Sequence, residues 1–292
     1  NIQTYTTKDM TRLNEEIGVP GFADVAVQRQ PDTSIHFVRD DGKVAVLLFD
    51  QDDGVEAWWL VETDGEIEAV YVLPGALEDG VYYVVKRTID GVTKRYHEKW
   101  ARIDECVGGT LNKQADSFIT YSGAATATIT GLDHLEGESV VVWADGRDLS
   151  PDIGADQTTY PVSGGSITLG ETVSDAVVGL PYAATFKSAK LAYAAAQGSA
   201  LTQKKRLDHL GLILADTHNN GLYYGDDVDT LDPLPRVEAG ADVDADAVWE
   251  TYDNDMIELV GRWDTDSRLY LKGYSPRPVT VLAAVIGIDT SG

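Results

Sequence analysis

Short apolar runs separated by turn sequences dominate the middle of the chain. Between Ser34 and Trp100 the runs are rich in Val, Ile, Trp, Tyr and Phe, and Asp-Gly pairs fall between them. Asp-Gly supplies the positive φ that tight hairpin turns require. The pattern therefore predicts an antiparallel meander with strands near residues 34–40, 43–50, 55–63, 66–73, 80–89 and 92–98.

The spacing of these strands favours a propeller-like arrangement. The first four span about 40 residues, the length of one propeller blade, and the hairpin at 80–98 has the length of half a blade. We therefore expect a propeller-like body over residues 34–116, in which the polar stretch 101–116 is a linker. Residues 1–33 form an N-terminal segment ahead of it.

A second group of short apolar runs predicts a small inserted β domain over residues 117–178. Turns at Asp145-Gly146 and Gly164-Gly165 punctuate it. About 60 residues of short strands are typical of a small barrel or sandwich. The predicted strands are 118–121, 126–129, 139–144, 157–162, 166–169 and 176–178.

The return segment, residues 179–292, has a less regular pattern. The Ala-rich stretch 191–196 favours a helix, 201–206 a helical turn and 207–217 a strand. Three further strands are predicted at 256–263, 268–274 and 279–288. We expect them to complete sheets begun before the inserted domain, because late strands would cover exposed edges. The predicted fold class is thus mainly β.

Charge narrows the possible partners. The chain has 48 acidic and 23 basic residues, a formal charge of −25. Such a surface repels phosphate, so ordinary nucleic-acid binding is disfavoured. Two interpretations stay open: general solubility or salt adaptation, and a surface that DNA passes without adhering. No apolar run approaches the roughly 20 residues of a spanning helix, and the polar start predicts no signal peptide.

Candidate chemistry is sparse. Cys106 is the single cysteine, so no intrachain disulfide forms. The histidines lack metal-ligand spacing, phosphate-cradling glycine loops are missing, and no nucleophile elbow occurs, so neither an enzyme nor a cofactor is predicted. Asp242, Asp244 and Asp246 have the spacing that begins a calcium loop, but Ala247 stands where such a loop needs glycine. A solvated acidic loop is the alternative.

Basic residues are scarce enough to be informative. One pair lies on each arm of the hairpin at 80–98, and one run of three lies further on. In so acidic a chain they are candidate contacts with acidic neighbours, although basic side chains also protect strand edges from aggregation. The candidates are Lys86, Arg87, Lys94, Arg95, Lys204, Lys205 and Arg206. The six tryptophans mostly fall in strand patterns, so we expect most of them in the core.

Several segments, in this order, resemble the tail tubular or nozzle proteins of short-tailed bacteriophages. The resemblance extends from about residue 30 to the end of the sequence. Family members are usually much longer, so the resemblance implies either a fragment or a reduced member of the family. The stretch Gly198–Gln203 also departs from the glycine-rich turn expected before a basic strand. The matching segments are Trp58–Val70, Val81–Glu98, Gly131–Gly137, Val140–Gly146, Val162–Leu169, Val178–Tyr182 and Pro276–Leu282.

The resemblance implies a non-enzymatic virion protein. It implies a propeller-like body with small β insertions, assembled as a hexameric ring below the portal and adaptor rings. The implied partners are copies of the chain, the adaptor or head–tail connector, distal tail or fibre proteins, and genomic DNA passing through the lumen, with no membrane. Two acidic loops are candidates for the lumen wall or gate: Asp50, Asp52 and Asp53, and Asp226, Asp227 and Asp229.

Two alternatives stay open at this point. A tail-associated polysaccharide depolymerase or glycosidase would need a cleft with two carboxyl groups about 5 to 9.5 Å apart, one of them with a raised pKa. A receptor-binding or carbohydrate-binding tail module would need exposed, coplanar aromatic side chains.

Overall fold

The computed structural model describes residues 9–12, 14–192, 200–238 and 241–290. The chain divides into two units, Asn1–Arg102 and Ile103–Gly292. It is mainly β, with antiparallel sheets of which none closes on itself, and this confirms the predicted fold class at that level. Within the described residues, no helix has the length and hydrophobicity that a membrane crossing demands.

The first unit contains two antiparallel sheets. One holds β1 to β4 in sequential order and the other holds β5 to β7. The six strands predicted between 34 and 98 are confirmed, and β1 adds a strand that lies in the N-terminal segment. The strands are β1 (Phe22–Gln28), β2 (Ser34–Arg39), β3 (Val44–Asp50), β4 (Val55–Val61), β5 (Glu66–Leu73), β6 (Gly80–Ile89) and β7 (Val92–Lys99).

A period of two builds the core of this unit. In β6 every second side chain, from Val81 through Tyr83 and Val85, is buried. These side chains share an apolar cluster with Val44 and Val46 of β3. Successive side chains of a strand point to opposite faces, so alternation in the sequence is sufficient to give each sheet an inner face.

The Asp-Gly pairs do not all make hairpins. Asp90 and Gly91 both have positive φ, 48° and 71°, and join β6 directly to β7. Asp64 and Gly65 instead carry the chain from the first sheet to the second, since β4 pairs with β3 and β5 with β6. A Cβ on Gly65 would lie 2.7 Å from the carbonyl oxygen of Lys86. Glycine serves close packing at this position rather than a tight turn.

The second unit contains the remaining strands and most of the short 3₁₀ turns. Its strands are β8 (Asp116–Thr130), β9 (Ser139–Ala144), β10 (Arg147–Asp148), β11 (Tyr160–Pro161), β12 (Ser166–Leu180), β13 (Ala183–Lys187), β14 (Lys205–His218), β15 (Leu222–Gly225), β16 (Asp232–Pro233), β17 (Val237–Glu238), β18 (Ala241–Asp242), β19 (Val248–Glu258), β20 (Tyr270–Tyr274) and β21 (Thr280–Thr290). The 3₁₀ turns among the described residues are Glu15–Gly18, Ile103–Glu105, Asp133–Leu135, Gly154–Asp156 and Ala200–Thr202.

A five-stranded sheet corresponds to the predicted inserted domain. Its order is β10-β9-β12-β8, with β11 added on β9. Two pairs of predicted strands are continuous here, because β8 and β12 each run for 15 residues. Register shifts in their pairing, between Thr168 and Val173 for example, accommodate the residues between the predicted strands without ending either strand.

The late strands pair with one another rather than with the first unit. The sheets are β13-β20-β15-β16 and β19-β14-β21, with β17-β18 as a two-stranded ribbon. The structure thus differs from the expectation that these strands complete earlier sheets. In the predicted helical turn at 201–206, a 3₁₀ turn ends at Thr202 and β14 begins at Lys205. Most of the predicted helix at 191–196, residues 193–196, lies outside the described residues.

Candidate functional site

The acidic loop between β3 and β4 is an exposed, self-contained turn. The carboxylate of Asp50 accepts the backbone N–H groups of Asp52 at 2.8 Å and Asp53 at 3.1 Å. All three side chains are exposed, and none has an ion-pair partner among the described residues. Because no cation neutralises it, this loop presents its full negative charge to solvent.

The second acidic loop is partly neutralised. Asp226 accepts the backbone N–H of Arg262 at 2.6 Å, and the Arg262 guanidinium pairs with Asp227. The backbone N–H of Asp229 and then this guanidinium hold the pKa of Asp227 below its usual range. Asp229 itself is exposed. This loop therefore offers less free charge than the loop at 50–53.

Of the predicted calcium spacing, the structure describes the side chains of Asp244 and Asp246. The Asp244 carboxylate accepts the backbone N–H of Asp246 at 3.0 Å. The backbone carbonyl oxygen of Asp244 accepts a hydrogen bond from the Asn219 side-chain amide. The side chain of Asp242 lies outside the described part. In the remaining described residues, no group of three or more acidic, His or Cys side chains is placed to hold a metal ion.

The basic hairpin divides into one internal and three external side chains. Arg87 is 1% exposed. Its guanidinium donates to the Glu98 carboxylate at 2.9 and 2.8 Å, and to Thr63 and Asp64 in the crossing between the two sheets. As a candidate for subunit contact, Arg87 is thus already occupied inside its own unit.

The other basic residues of the hairpin face outward. Lys86 pairs with Glu66 at 2.8 Å, and Arg95 pairs with Glu68 at 2.6 Å. Lys94 is exposed and has no ion-pair partner among the described residues. These three side chains are accessible to another molecule.

The basic run ahead of β14 divides in the same way. Lys205 is fully buried and its ammonium donates to the Thr265 carbonyl at 2.7 Å. Arg206 pairs with Asp289 at 2.8 Å and lies over the Trp263 ring. Lys204 is exposed. Only the outer part of the run is therefore accessible for contact.

A buried ion pair that the sequence did not reveal joins distant parts of the second unit. Arg277 donates to the Asp148 carboxylate at 2.7 Å, and both side chains are almost completely buried. Burial raises the pKa of Asp148, although Arg277 opposes the shift. The raised pKa of Asp148 thus follows from the enclosure of the pair away from water and does not mark a catalytic acid. The available signal was an arginine placed between Pro276 and Pro278 in a chain poor in arginine.

Two buried histidines have structural surroundings. The Nδ1 of His36 lies 2.8 Å from the Tyr83 hydroxyl, and its ring meets Trp100 edge-on at 5.2 Å. His218 lies edge-on to Trp143 at 5.9 Å. Burial lowers the pKa of each histidine to about 4. Both rings are therefore neutral at pH 7 and belong to the two cores.

Exposed aromatic residues are more numerous than expected. Trp143 and Trp249 are buried, whereas Trp59, Trp100 and Trp263 are all more than a third exposed. The expectation that most tryptophans lie in the core was wrong. Trp59 lies on the edge strand β4, and Trp100 and Trp263 lie outside strands, so fewer neighbours cover these large rings.

One depression in the first unit is bordered by aromatic and basic side chains. It has a volume of about 390 Å³ and lies beside the β5–β6 connection, where Tyr82, Lys99 and Arg102 line it. Tyr71 stacks on Tyr82 with ring centres 5.0 Å apart and planes 2° apart. The sequence pattern did not single out this stacked pair.

Two uncovered strand edges carry opposite charge. Among the described strands, the basic edge β7 pairs with β6 alone, and the acidic edge β19 pairs with β14 alone. The basic edge exposes Lys94, Arg95 and Lys99. The acidic edge exposes Glu250, Asp253 and Glu258. An uncovered edge presents unpaired backbone groups as well as side chains.

No protein-family model matches the chain. Among curated proteins, the comparison likewise finds no similar sequence. The resemblance to phage nozzle proteins therefore stays an inference from the seven segments named above.

Proposed function

We propose that this chain is a structural, non-enzymatic subunit of a bacteriophage tail. In the proposal, copies form a ring, hexameric as in the family it resembles, below the portal and adaptor, and the genome leaves the head through it. The ring belongs to the virion, and distal tail or fibre proteins contact it from below. The observation that carries the proposal is the pair of uncovered, oppositely charged strand edges, which suit a chain that completes its sheets by contact with neighbours.

The finer fold belongs to the same proposal. A four-stranded meander followed by a three-stranded one has the strand order expected of successive propeller blades. The five-stranded sheet of β8 to β12 has the length and strand number of a small barrel or sandwich inserted into that body. An assembled ring would supply the neighbours that such open sheets lack.

The loop at Asp50–Asp53 is our candidate for the lumen wall. Its carboxylates are exposed and have no cation beside them in the described part of the chain. Negative charge there would repel DNA phosphates and lower friction during passage. Replacing Asp52 and Asp53 by Asn in assembled phage should slow DNA ejection several-fold and make its rate less sensitive to salt. A variant that neutralises the exposed Asp32 and Asp156 removes the same charge elsewhere, and equal rates in the two variants would contradict this placement.

Native mass spectrometry tests the ring itself. The full-length protein, alone and mixed with its adaptor protein, should give a closed oligomer. Electron microscopy of the same sample should show a ring with a central opening. If both samples contained only monomers across the micromolar range, the proposed function would fail.

The stacked tyrosines favour one second candidate, a carbohydrate-binding tail module. Tyr82 lines an open depression, and Tyr71 stacks on it with a nearly parallel ring plane. Flat aromatic faces are where sugars stack. Binding of purified host polysaccharide, lost in Tyr82→Ala but retained in Tyr96→Ala, would support it. Equal binding by both variants, or none by the wild type, would rule this candidate out.

A further inference from the structure

We propose that the contact between neighbouring subunits is formed by the basic edge of one copy lying along the acidic edge of the next. This inference rests on the proposed function, because it specifies how the ring is held together. It names the partner of β7 as β19 of a second copy of this chain.

The basic edge is accessible along its whole length. All side chains of β7 are exposed or half-exposed, from Val92 to Lys99. Lys94 and Lys99 have no ion-pair partner among the described residues. The Lys99 ammonium lies over the Tyr82 ring, 6.0 Å from its centre. Arg95 pairs with Glu68 but is 63% exposed. Cations are thus available on both faces of this strand.

The acidic edge has the complementary character. Glu250, Asp253 and Glu258 are exposed and have no cationic partner in the part of the chain that the structure describes. Met256, on the same strand, is 70% exposed and offers an apolar contact beside them. The 11-residue sequence of β19 contains four acidic residues and no Lys or Arg.

Charge explains why this pairing is preferred to others. Two copies with a formal charge of −25 each repel one another, so a contact between them needs local attraction. Three basic side chains and one acidic side chain occur in the eight residues of β7. Pairing along β7 would extend for roughly 26 Å at about 3.3 Å per residue. Backbone hydrogen bonds and ion pairs would then act together.

The two edges are different surfaces of the chain, as a ring requires. The basic edge lies in the first unit and the acidic edge in the second. A contact between two different surfaces is heterologous, and repetition of such a contact closes into a ring or continues as a filament. The mostly apolar edge of β21, which exposes Val281, Leu282 and Val285, is the main competitor. Its pairing with itself would be two-fold and would stop at a dimer.

Charge reversal tests the contact. The basic-edge variant carries Lys94→Glu and Lys99→Glu, and the acidic-edge variant carries Glu250→Lys and Asp253→Lys. Each variant alone should lose the ring, with a dissociation constant at least roughly 100-fold higher, because like charges then face each other. Mixed in equal amounts, the two variants should restore a ring in which they alternate. Native mass spectrometry distinguishes the two masses.

Controls separate this contact from general charge effects and from misfolding. Lys187→Glu with Lys190→Glu makes the same change of charge away from β7 and should leave the ring intact. Restoration in the mixture shows that both variants fold. The inference would be overturned if the basic-edge variant formed the same ring as the wild type. It would also be overturned if the mixture stayed monomeric although circular dichroism showed both variants folded. Either result would leave the proposed function standing. A wild type that forms only monomers or two-fold dimers, even with its adaptor, would instead remove the proposed function.

Discussion

Replacing Arg277 by Met should strongly destabilise the unit Ile103–Gly292. Arg277 is 3% exposed. It donates to the Asp148 carboxylate at 2.7 Å and to the carbonyl oxygens of Asp152 at 2.7 Å and Asn220 at 3.2 Å. Methionine occupies a similar volume but donates no hydrogen bond. The variant therefore leaves a carboxylate buried without a counter-charge.

The expected loss in the free energy of unfolding is about 3 to 5 kcal/mol, the usual cost of removing one partner of a buried ion pair. The loss depends on pH. Without the guanidinium, the pKa of Asp148, already raised by burial, rises further in the folded state. A raised carboxyl pKa destabilises the folded state above the unfolded pKa of about 3.9, so the deficit should be largest at neutral pH and shrink as pH falls toward 4.

Urea unfolding followed by tryptophan fluorescence measures this loss. Trp143 reports on the same unit, since it is fully buried and its Nε1 donates to the Gly109 carbonyl at 2.8 Å. With a slope of about 2 to 3 kcal/mol per molar urea, the midpoint should fall by about 1 to 2 M. Arg147→Met is the matched control. Its partner Glu171 and the arginine are both more than 40% exposed, so the control should lose less than about 1 kcal/mol.

The reasoning would be refuted if both arginine variants lost the same stability, or if the Arg277→Met deficit did not shrink toward pH 4. A double variant, Arg277→Met with Asp148→Asn, provides a second check. Because the amide removes the unpaired charge, it should recover part of the loss and give a coupling energy of about 2 kcal/mol or more.

Two further predictions concern the buried His36 and the contact between Gly287 and His209. The unit Asn1–Arg102 should lose up to about 3 kcal/mol as pH falls from 6.5 to about 4, because unfolded His36 binds a proton that the folded ring, with its pKa of about 4, does not. His36→Phe should flatten that pH profile in denaturant unfolding, and an unchanged slope would exclude His36 as its cause. Gly287→Ala should cost about 1 kcal/mol or less, since its Cβ would lie 2.1 Å from the ring of His209, a 37% exposed side chain that can turn aside into another rotamer. Thermal melting should show the loss and its recovery in Gly287→Ala/His209→Ala, and a double variant no more stable than the single one would count against the clash.

Local pattern was sufficient for six strands of the first unit, β2 to β7, but not for β1. The apolar period of two and the turn-forming Asp90-Gly91 pair predicted β6 and β7 to within a residue. Both signals act over a few residues, through side-chain alternation and backbone φ, so they are legible without knowing the partners. The same holds for the exposed loop at 50–53, in which the Asp50 carboxylate accepts two backbone N–H groups of the loop itself.

Pairing over long distances was decided only by the tertiary structure. Asp64-Gly65 is the same dipeptide as Asp90-Gly91, yet it changes sheets because β5 finds its partner in β6. Arg277 meets Asp148 across 129 positions of sequence, and no local pattern links them.

Charged side chains show the same division most clearly. Arg87 and Lys94 are opposite one another in the β6–β7 register, and the sequence made them equal candidates for contact. Arg87 follows Val81, Tyr83 and Val85 on the inner face of a central strand, so it is buried with Glu98, whereas Lys94 lies on an edge strand. The sequence sets which face a side chain takes, but whether that face is covered depends on which strands pack against it.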